Sequence, residues 1–375
     1  MKWNKTILVA ATMLLAFYNE LMKTFQVLFV FFLFFSCQNK QEGDAIIINL
    51  DNVADKLAYS TFVDSVSYVT LHLEDDMHIG SVERLYKWGD YYYVLGSHQS
   101  GIFVFDVSGK LYSHIDAFGE GPKNFRIISS FSVVKSTGDI CIMDYASRKL
   151  MLFGMDGSFK NSFPCSNWSV DLASFNVDST VFISPFYVGG ENPSGIWLAD
   201  ENNVPVRFLR NDVTSDHQLY YFPMTYNWGD TCIYYYDRNW NDFSSVSPNG
   251  IRALYHFDVK QKMKPSIMRD ATKNPSLLNG YSICDRFVYS SSCLLLLYCK
   301  FVDLVDRSYV WAIVDNSGYV KLGRNLYNDI DDVRIETREL FHLDDMTLGR
   351  ICEEEADNFD VQIQLLHLSD EVDVR

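Results

Sequence analysis

The chain has 375 residues, of which 48% are apolar, so a large hydrophobic core is available and global disorder is excluded. Its formal net charge is −16, and because residues 1–36 carry a net charge of +2, the remainder carries −18. A surface that acidic repels phosphate backbones, so nucleic acid is not expected among the partners. Aromatic residues make up 15% of the chain, a composition that favours strands.

Residues 1–36 have the pattern of an export signal. Two apolar runs, 6–18 and 25–35, are each shorter than the roughly 20 residues that cross a bilayer. The second run follows Lys23 and is followed by Ser36, and this order of charge, short apolar stretch and small residue indicates a secretory signal peptide. The segment that begins at Met22 is complete as a signal by itself, so Met22 is the predicted translation start.

Cys37 directly follows the small residue, and this position resembles the lipobox of bacterial lipoproteins, in which the cysteine is acylated and becomes the mature N-terminus. Phe34 stands where leucine is usual in that motif. The alternative is an ordinary cleaved signal or a signal anchor in which Cys37 has no role. Residues 37–44 are polar and are predicted to form a tether. We therefore expect a lipid-anchored protein of the cell envelope, on the periplasmic or outer-membrane surface.

A repeated unit begins at Gly89. A Gly-Asp turn leads into a strand, a second strand follows at 102–106, and a glycine turn at Gly109 leads into a third; the same order recurs from Gly138. Weaker copies of the second strand follow. The six copies end near 105, 153, 199, 257, 314 and 368, which gives spacings of 46 to 58 residues. A loose period near fifty is typical of propeller blades.

Helical periodicity is nearly absent after residue 45, and many short strands with glycine turns predict a closed all-β architecture. We predict a six-bladed β-propeller over residues 45–375. The sixth copy ends seven residues before the C-terminus, which leaves no room for its outgoing strand. Either 45–50 or 66–73 could supply that strand, so we expect an N-terminal strand to close the ring in a blade shared by both ends of the chain.

Three segments carry a resemblance to a known family: Tyr68–Glu74, Ile102–Lys110 and Phe118–Phe125. They resemble the six-bladed β-propeller lipoproteins of Bacteroides and relatives, which are similar in turn to NHL-repeat propellers. The family usually has a glutamate where Asn124 stands here. The resemblance implies fold and location more than activity.

Cysteine and histidine residues show no pattern for chemistry. Without Cys37 there remain seven cysteines, with no C-x-x-C pair, and several lie in strand-like runs where a cysteine acts as a small buried hydrophobe. The eight histidines lack metal-binding spacing, and no phosphate-binding or dinucleotide-binding fingerprint is present. No metal, no cofactor and no catalytic residue is therefore predicted.

The most distinctive loop is Gly119-Glu120-Gly121-Pro122. Its glycines allow positive φ and close backbone approach, and its proline stiffens the exit. These four residues are candidates for ligand binding on one propeller face. The alternative is a connection between blades whose geometry requires glycine.

A dense aromatic segment spans 220–243. Exposed tyrosine and tryptophan could stack on sugar rings or grip a peptide, and Tyr226, Trp228 and Trp240 are the candidates. The alternative is packing between blades. Acidic runs such as 329–332 lack the spacing of a Ca²⁺ loop and are interpreted as solvated turns.

We conclude from the sequence that the chain is a non-catalytic binding or scaffold protein for a glycan, peptide or protein partner. The alternative is a propeller glycan hydrolase or lyase with carboxylates in the central funnel. Two inward carboxylates with raised pKa would favour the enzyme, since the fold alone does not decide between them.

Overall fold

The structure is a computed structural model that describes residues 45–375 except 52, 75–76, 98–99, 135, 165–170, 177–178, 185–194, 200–204, 212–223, 229–232, 238–240, 248, 264–266, 268–269, 272, 303–305, 332, 334–338, 353–359 and 373–375. Within this part of the chain, no helix combines the length and the apolar character needed to span a membrane.

The described residues contain twenty-six strands, and three of them precede the repeated part of the chain. These three are β1 (Ile46–Ile48), β2 (Ala54–Ala58) and β3 (Val63–Leu71). A short 3-10 turn over Tyr59–Thr61 links β2 to β3.

The next eight strands form two antiparallel four-stranded sheets in which neighbours in sequence are neighbours in space. Sheet A consists of β4 (Val82–Trp88), β5 (Tyr91–Gly96), β6 (Ile102–Asp106) and β7 (Leu111–Ile115). Sheet B consists of β8 (Ile128–Val134), β9 (Asp139–Asp144), β10 (Lys149–Phe153) and β11 (Phe159–Pro164).

The same meander continues in the next two sheets, and the second of them gains β1 as a fifth strand. Sheet C consists of β12 (Asp171–Asn176), β13 (Ser179–Ser184), β14 (Gly195–Ala199) and β15 (Pro205–Asn211). Sheet D consists of β1 together with β16 (Met224–Trp228), β17 (Ile233–Asp237), β18 (Asp242–Ser247) and β19 (Gly250–Val259).

The last two sheets both include N-terminal strands. Sheet E consists of β2 together with β20 (Ser282–Tyr289), β21 (Cys293–Phe301), β22 (Arg307–Asp315) and β23 (Val320–Tyr327). Sheet F consists of β3 together with β24 (Phe341–Asp344), β25 (Thr347–Cys352) and β26 (Val361–Leu368).

The turns that recur in the sequence have a common physical basis. Asp106 and Asp315 each end a strand, and Asp156 lies in the turn after β10; each accepts a hydrogen bond at Oδ1 from the backbone amide two residues later, at 2.8–3.0 Å. This side-chain bond substitutes for a backbone turn. Gly109, with φ +87°, completes the first of these turns beside the Thr70 carbonyl, where a side chain would overlap that oxygen. The repeated turn is therefore set by local sequence.

The N-terminal strands pair with three different sheets. β1 runs parallel to β19, and β2 runs parallel to β23, whereas β3 is antiparallel to β26. Sheet F therefore takes its fourth strand from the N-terminal part of the chain. Of the two candidate segments, the one that contains residues 66–71 has this role, and 46–48 instead extends sheet D.

Neighbouring sheets pack face to face through shared clusters of buried side chains. In β5, Tyr93 and Leu95 face sheet B, whereas Tyr92 and Val94 face sheet F, as the two-residue period of a strand requires. Further buried clusters join sheets B and C, D and E, and E and F.

The first strands of neighbouring sheets lie side by side: β8 with β12, β16 with β20, β20 with β24, and β24 with β4. Lys87 on β4 also forms a 2.8 Å ion pair with Asp344 on β24, which links sheets A and F. Four-stranded meanders packed in this way form a β-propeller, so the predicted all-β propeller fold is confirmed. Side chains of sheet C are described only at Leu172 and Leu198, so packing is described around five of the six sheets and the number of blades stays a prediction.

Candidate functional site

The glycine loop predicted as a ligand site connects β7 to β8 and is folded on itself. The Gly119 amide, at φ +145°, donates a 3.0 Å hydrogen bond to the Phe125 carbonyl. The Asn124 side chain donates to the Phe118 carbonyl at 3.2 Å, and it occupies the space that a Cβ at Gly121 would need. Phe125 is fully buried and packs edge-on against Phe118 at 4.6 Å. These contacts anchor the start of β8 in the core between sheets A and B.

The exposed part of this loop carries one ion pair. Glu120 lies 2.8 Å from Arg126 Nη2, and both side chains are largely in solvent, so the pair contributes little to stability. Pro122 is also exposed. The loop thus provides the connection between sheets that the alternative interpretation required, and ligand binding by Gly119, Glu120, Gly121 and Pro122 stays a prediction.

The remaining predicted site residues fall where the structure describes little. Tyr226 and Trp228 lie on β16, but their side chains are outside the described residues, as are Trp240 and Cys37. Their proposed roles stay predictions.

The described tyrosines of β17 pack between sheets. Tyr234 stacks on Phe243 at a centroid distance of 5.7 Å and contacts Tyr289 of sheet E at 4.2 Å. The hydroxyl of buried Tyr236 lies 3.2 Å from that of Tyr298, also in sheet E. This part of the aromatic segment therefore belongs to the core between sheets D and E.

A row of polar side chains crosses sheet F. The register places Arg350 of β25 opposite Gln364 of β26, and Gln364 opposite Tyr68 of β3. Directly opposed side chains share one face of a sheet. Here that face is the one on which Leu348 and Leu366 pack toward sheet E. Gln364 is fully buried and Arg350 is 5% exposed, whereas Tyr68 is 37% exposed, so the row runs from the core to the surface.

Hydrogen bonds extend this row into a chain with one direction. Arg350 Nη1 donates a hydrogen bond to the Tyr59 hydroxyl. The Tyr59 hydroxyl in turn donates to Gln364 Oε1 at 3.5 Å, which is a long hydrogen bond. Gln364 Nε2 donates to the Tyr68 hydroxyl at 2.9 Å, and Tyr68 donates to Asp331 Oδ2 at 2.6 Å. The chain begins at a buried cation and ends at a carboxylate. It therefore gives the buried guanidinium one hydrogen-bond partner and connects it to Asp331 through three neutral side chains.

The pKa values fit these donor directions. Burial raises the pKa of Tyr59, against the opposing effect of Arg350. Partial burial and the Asp331 carboxylate raise the pKa of Tyr68 to about 12. Hydrogen bonds from Tyr68 and the Val333 amide outweigh partial burial and lower the pKa of Asp331. At neutral pH both phenols are therefore protonated and the carboxyl is ionised.

Asn328 holds the loop that follows β23. Its Nδ2 donates to Asp331 Oδ1 and, at 3.1 Å, to the Val333 carbonyl, while its Oδ1 accepts from the Ile330 amide at 3.2 Å. The Val333 amide donates back to Asp331 Oδ1 at 3.1 Å. Asparagine and aspartate that bond nearby backbone groups in this way fix a turn without regular secondary structure.

This fixed loop presents apolar side chains to solvent. Ile330 is 37% exposed and Val333 is 41% exposed, and the exposed Tyr68 donates its hydroxyl hydrogen bond to Asp331 of the same loop. We call Tyr68, Ile330 and Val333 the 330 surface. Tyr327 is also exposed, but the Lys56 ammonium lies over its ring at 4.4 Å, so we leave it out of this surface.

A second carboxylate flanks the 330 surface. Asp329 accepts from the Ser60 amide at 3.0 Å and from the Ser60 hydroxyl at 2.5 Å, and these bonds outweigh partial burial and lower its pKa. The acidic run that the sequence analysis interpreted as a solvated turn thus bonds to the N-terminal segment through Asp329 and Asp331. Asn328, directly before the run, is the sequence signal that could have indicated an ordered turn.

The comparisons with known proteins agree with the fold. Residues 45–358 match a family described as "Domain of unknown function (DUF4934)". A Bacteroides fragilis protein, whose name gives it as an inferred exported protein, has a similar structure. The TM-score is 0.67 at 15% sequence identity, and the match covers 87% of this chain and 99% of that one. A member of the DUF4221 family from Bacteroides vulgatus is similar with a TM-score of 0.57 and 9% identity, over 82% and 97% of the two chains. No curated protein matches this chain. At these identities the likeness to solved structures shows the fold alone.

Proposed function

We propose that this chain, which belongs to the DUF4934 family, is an exported, lipid-anchored, six-bladed β-propeller that binds a glycan, peptide or protein partner in the cell envelope without catalysing a reaction. The observation that carries the proposal is the 330 surface, a loop fixed by its own hydrogen bonds that exposes apolar side chains. Exposed apolar groups on an ordered loop are typical of binding sites.

The blade number is supported by the six hydrogen-bonded sheets. Sheets A and F, the first and the last of the repeated part, share a buried cluster. The pairing of β3 with β26 supports closure of the ring by an N-terminal strand, because it completes the last sheet with chain from the other end.

The extracytoplasmic location is supported by the export signal before Cys37 and by the name of the Bacteroides fragilis relative. We expect Cys37→Ala to move the protein from the membrane fraction to the soluble fraction and to abolish incorporation of labelled palmitate, since the acylated thiol would be absent. Cys352→Ala is the matched control, because it removes a cysteine far from the signal and leaves the anchor in place. Unchanged fractionation of the Cys37→Ala protein would refute the lipid anchor.

The binding role is supported by the state of the carboxylates. Every carboxyl group with a resolved shift in the described residues has a lowered pKa: Asp106, Asp156, Asp329, Asp331 and Asp344. A lowered pKa keeps the group ionised as a hydrogen-bond acceptor, whereas a general acid needs a raised pKa.

Glycan and peptide arrays, probed with the secreted Cys37→Ala chain, test the binding role. We expect retention on spots of one class with no change in the mass of the bound compound. A glycan that is shortened or cleaved during incubation would support the hydrolase or lyase instead. Absence of binding on both arrays would contradict the proposed function.

A further inference from the structure

We propose that the 330 surface docks an apolar peptide segment with basic side chains that belongs to a partner protein. This inference rests on the proposed binding function and names the class of partner and the residues that contact it. Three properties of the surface support it: the exposed apolar side chains, the polar groups that are already hydrogen-bonded within the protein, and the local negative charge.

Exposed apolar side chains concentrate at this place. The described residues include eleven large hydrophobic side chains that are exposed, and three of them, Tyr68, Ile330 and Val333, form the 330 surface. The hydrogen bonds of Asn328 order the loop in the free protein, so binding a partner there costs little further conformational entropy. A rigid apolar patch of this kind is suited to become the buried centre of an interface.

The polar groups of the loop favour a peptide over a glycan. The Asn328 amide, the Asp331 carboxylate and the Tyr68 hydroxyl already bond to one another or to the loop backbone. A sugar needs hydrogen-bond partners around each ring. The side chains that extend outward from this loop, Ile330 and Val333, are aliphatic and offer none.

The charge of the surface favours a basic segment. Asp329 and Asp331 stay ionised because hydrogen bonds lower the pKa of each. Among the described residues, Lys56 lies over the ring of Tyr327 and Arg350 is buried against Tyr59, so neither of these cations lies beside the two carboxylates. The chain beyond residue 36 carries −18, so a basic segment is also attracted at longer range.

Fluorescence polarisation with the full secreted Cys37→Ala chain tests this proposal with three ten-residue peptides. One alternates leucine with lysine, one leucine with glutamate, and one serine with lysine. We expect the leucine–lysine peptide to bind tightest and to weaken as salt rises from about 50 to about 300 mM, because salt screens exposed charges. The double substitution Ile330→Ser with Val333→Ser should weaken it about tenfold or more, since two partly buried aliphatic contacts are lost.

The matched control is Val107→Ser with Tyr319→Ser, which removes two exposed apolar side chains elsewhere and should leave affinity unchanged. Equal binding of the leucine–glutamate peptide, tightest binding of the serine–lysine peptide, or no effect of the double substitution at Ile330 and Val333 would overturn the proposal. If a glycan binds on the arrays and that substitution leaves its binding intact, the 330 surface is wrong while the binding function stands. Absence of binding to every peptide and glycan would refute both.

Discussion

Gln364 is the central link of the polar row in sheet F, and replacing it with methionine tests the whole arrangement. The side chain is fully buried, donates to Tyr68 at 2.9 Å and accepts from Tyr59 at 3.5 Å. Methionine has nearly the same length, no hydrogen-bond donor and only a weak acceptor, so Gln364→Met removes the bond to Tyr68 and weakens the one from Tyr59 while it largely keeps the packing.

The expected loss of unfolding free energy is about 2 kcal/mol. The 2.9 Å bond to Tyr68 contributes about 1 kcal/mol, as a well-formed hydrogen bond does. Because Tyr68 is partly exposed, water can replace the lost donor on its outer side. The Tyr59 hydroxyl is fully buried, and its proton would be left with only a weak acceptor, which costs about another 1 kcal/mol even though the original bond is long.

Guanidinium unfolding of the secreted Cys37→Ala chain, followed by tryptophan fluorescence, measures this loss. The midpoint should fall while the slope stays constant, since a changed slope would indicate altered compactness rather than altered stability. Gln362→Met is the matched control on the same strand and the same face. Gln362 is only partly buried, so its replacement should change the free energy by less than about 0.5 kcal/mol.

Equal losses for Gln364→Met and Gln362→Met would refute the reasoning, because the effect would then reflect the strand rather than the hydrogen bonds. A loss below about 0.5 kcal/mol for Gln364→Met would show that the row contributes no net stability, as can occur when buried polar groups are replaced by well-packed apolar ones.

Two further substitutions are expected to act in opposite directions. The Tyr93 hydroxyl is buried without a hydrogen-bond partner in the described part of the chain. Tyr93→Phe should therefore leave the free energy of unfolding unchanged or raise it by up to about 1 kcal/mol. A clear loss of stability would mean that the hydroxyl is hydrogen-bonded. Gly109→Ala should cost about 3 kcal/mol or more, from a positive φ and overlap with a carbonyl oxygen of β3, whereas Gly89→Ala, with positive φ but open space around it, should cost only about 1–2 kcal/mol. The unfolding midpoints of the two glycine variants check this difference, and equal costs would refute the role of the overlap.

The repeated turns could be predicted from the sequence because their cause is local. Asp106 and Gly109 act within a few residues of each other, the same arrangement recurs at Asp315 and Gly318, and Asp156 makes the same side-chain bond within its own turn. The strands between these turns follow from alternation and glycine spacing. The pairing of the N-terminal strands could be predicted only in part: the sequence offered two segments for the last sheet, and the choice of β3 depends on contacts about 300 residues apart.

The 330 surface could not be predicted because its properties depend on groups far away in the sequence. An acidic run such as 329–332 is ordinarily solvated, and nothing local indicates that Ser60 and Tyr68 bond to Asp329 and Asp331. The glycine loop, in contrast, attracted attention because its sequence is distinctive. Its glycines serve the chain's own geometry, since Asn124 fills the space beside Gly121.

The position of β3 links the closing of the propeller to the formation of the 330 surface. Ser60 and Tyr68 belong to the N-terminal segment, whereas Asp329 and Asp331 follow β23 near the other end of the chain. The bond from Tyr68 to the loop forms only when β3 lies against β26, because that pairing sets Tyr68 opposite Gln364. A slip of one residue would turn Tyr68 to the opposite face of sheet F. The register of β3 therefore determines whether Tyr68 joins Ile330 and Val333 in the 330 surface.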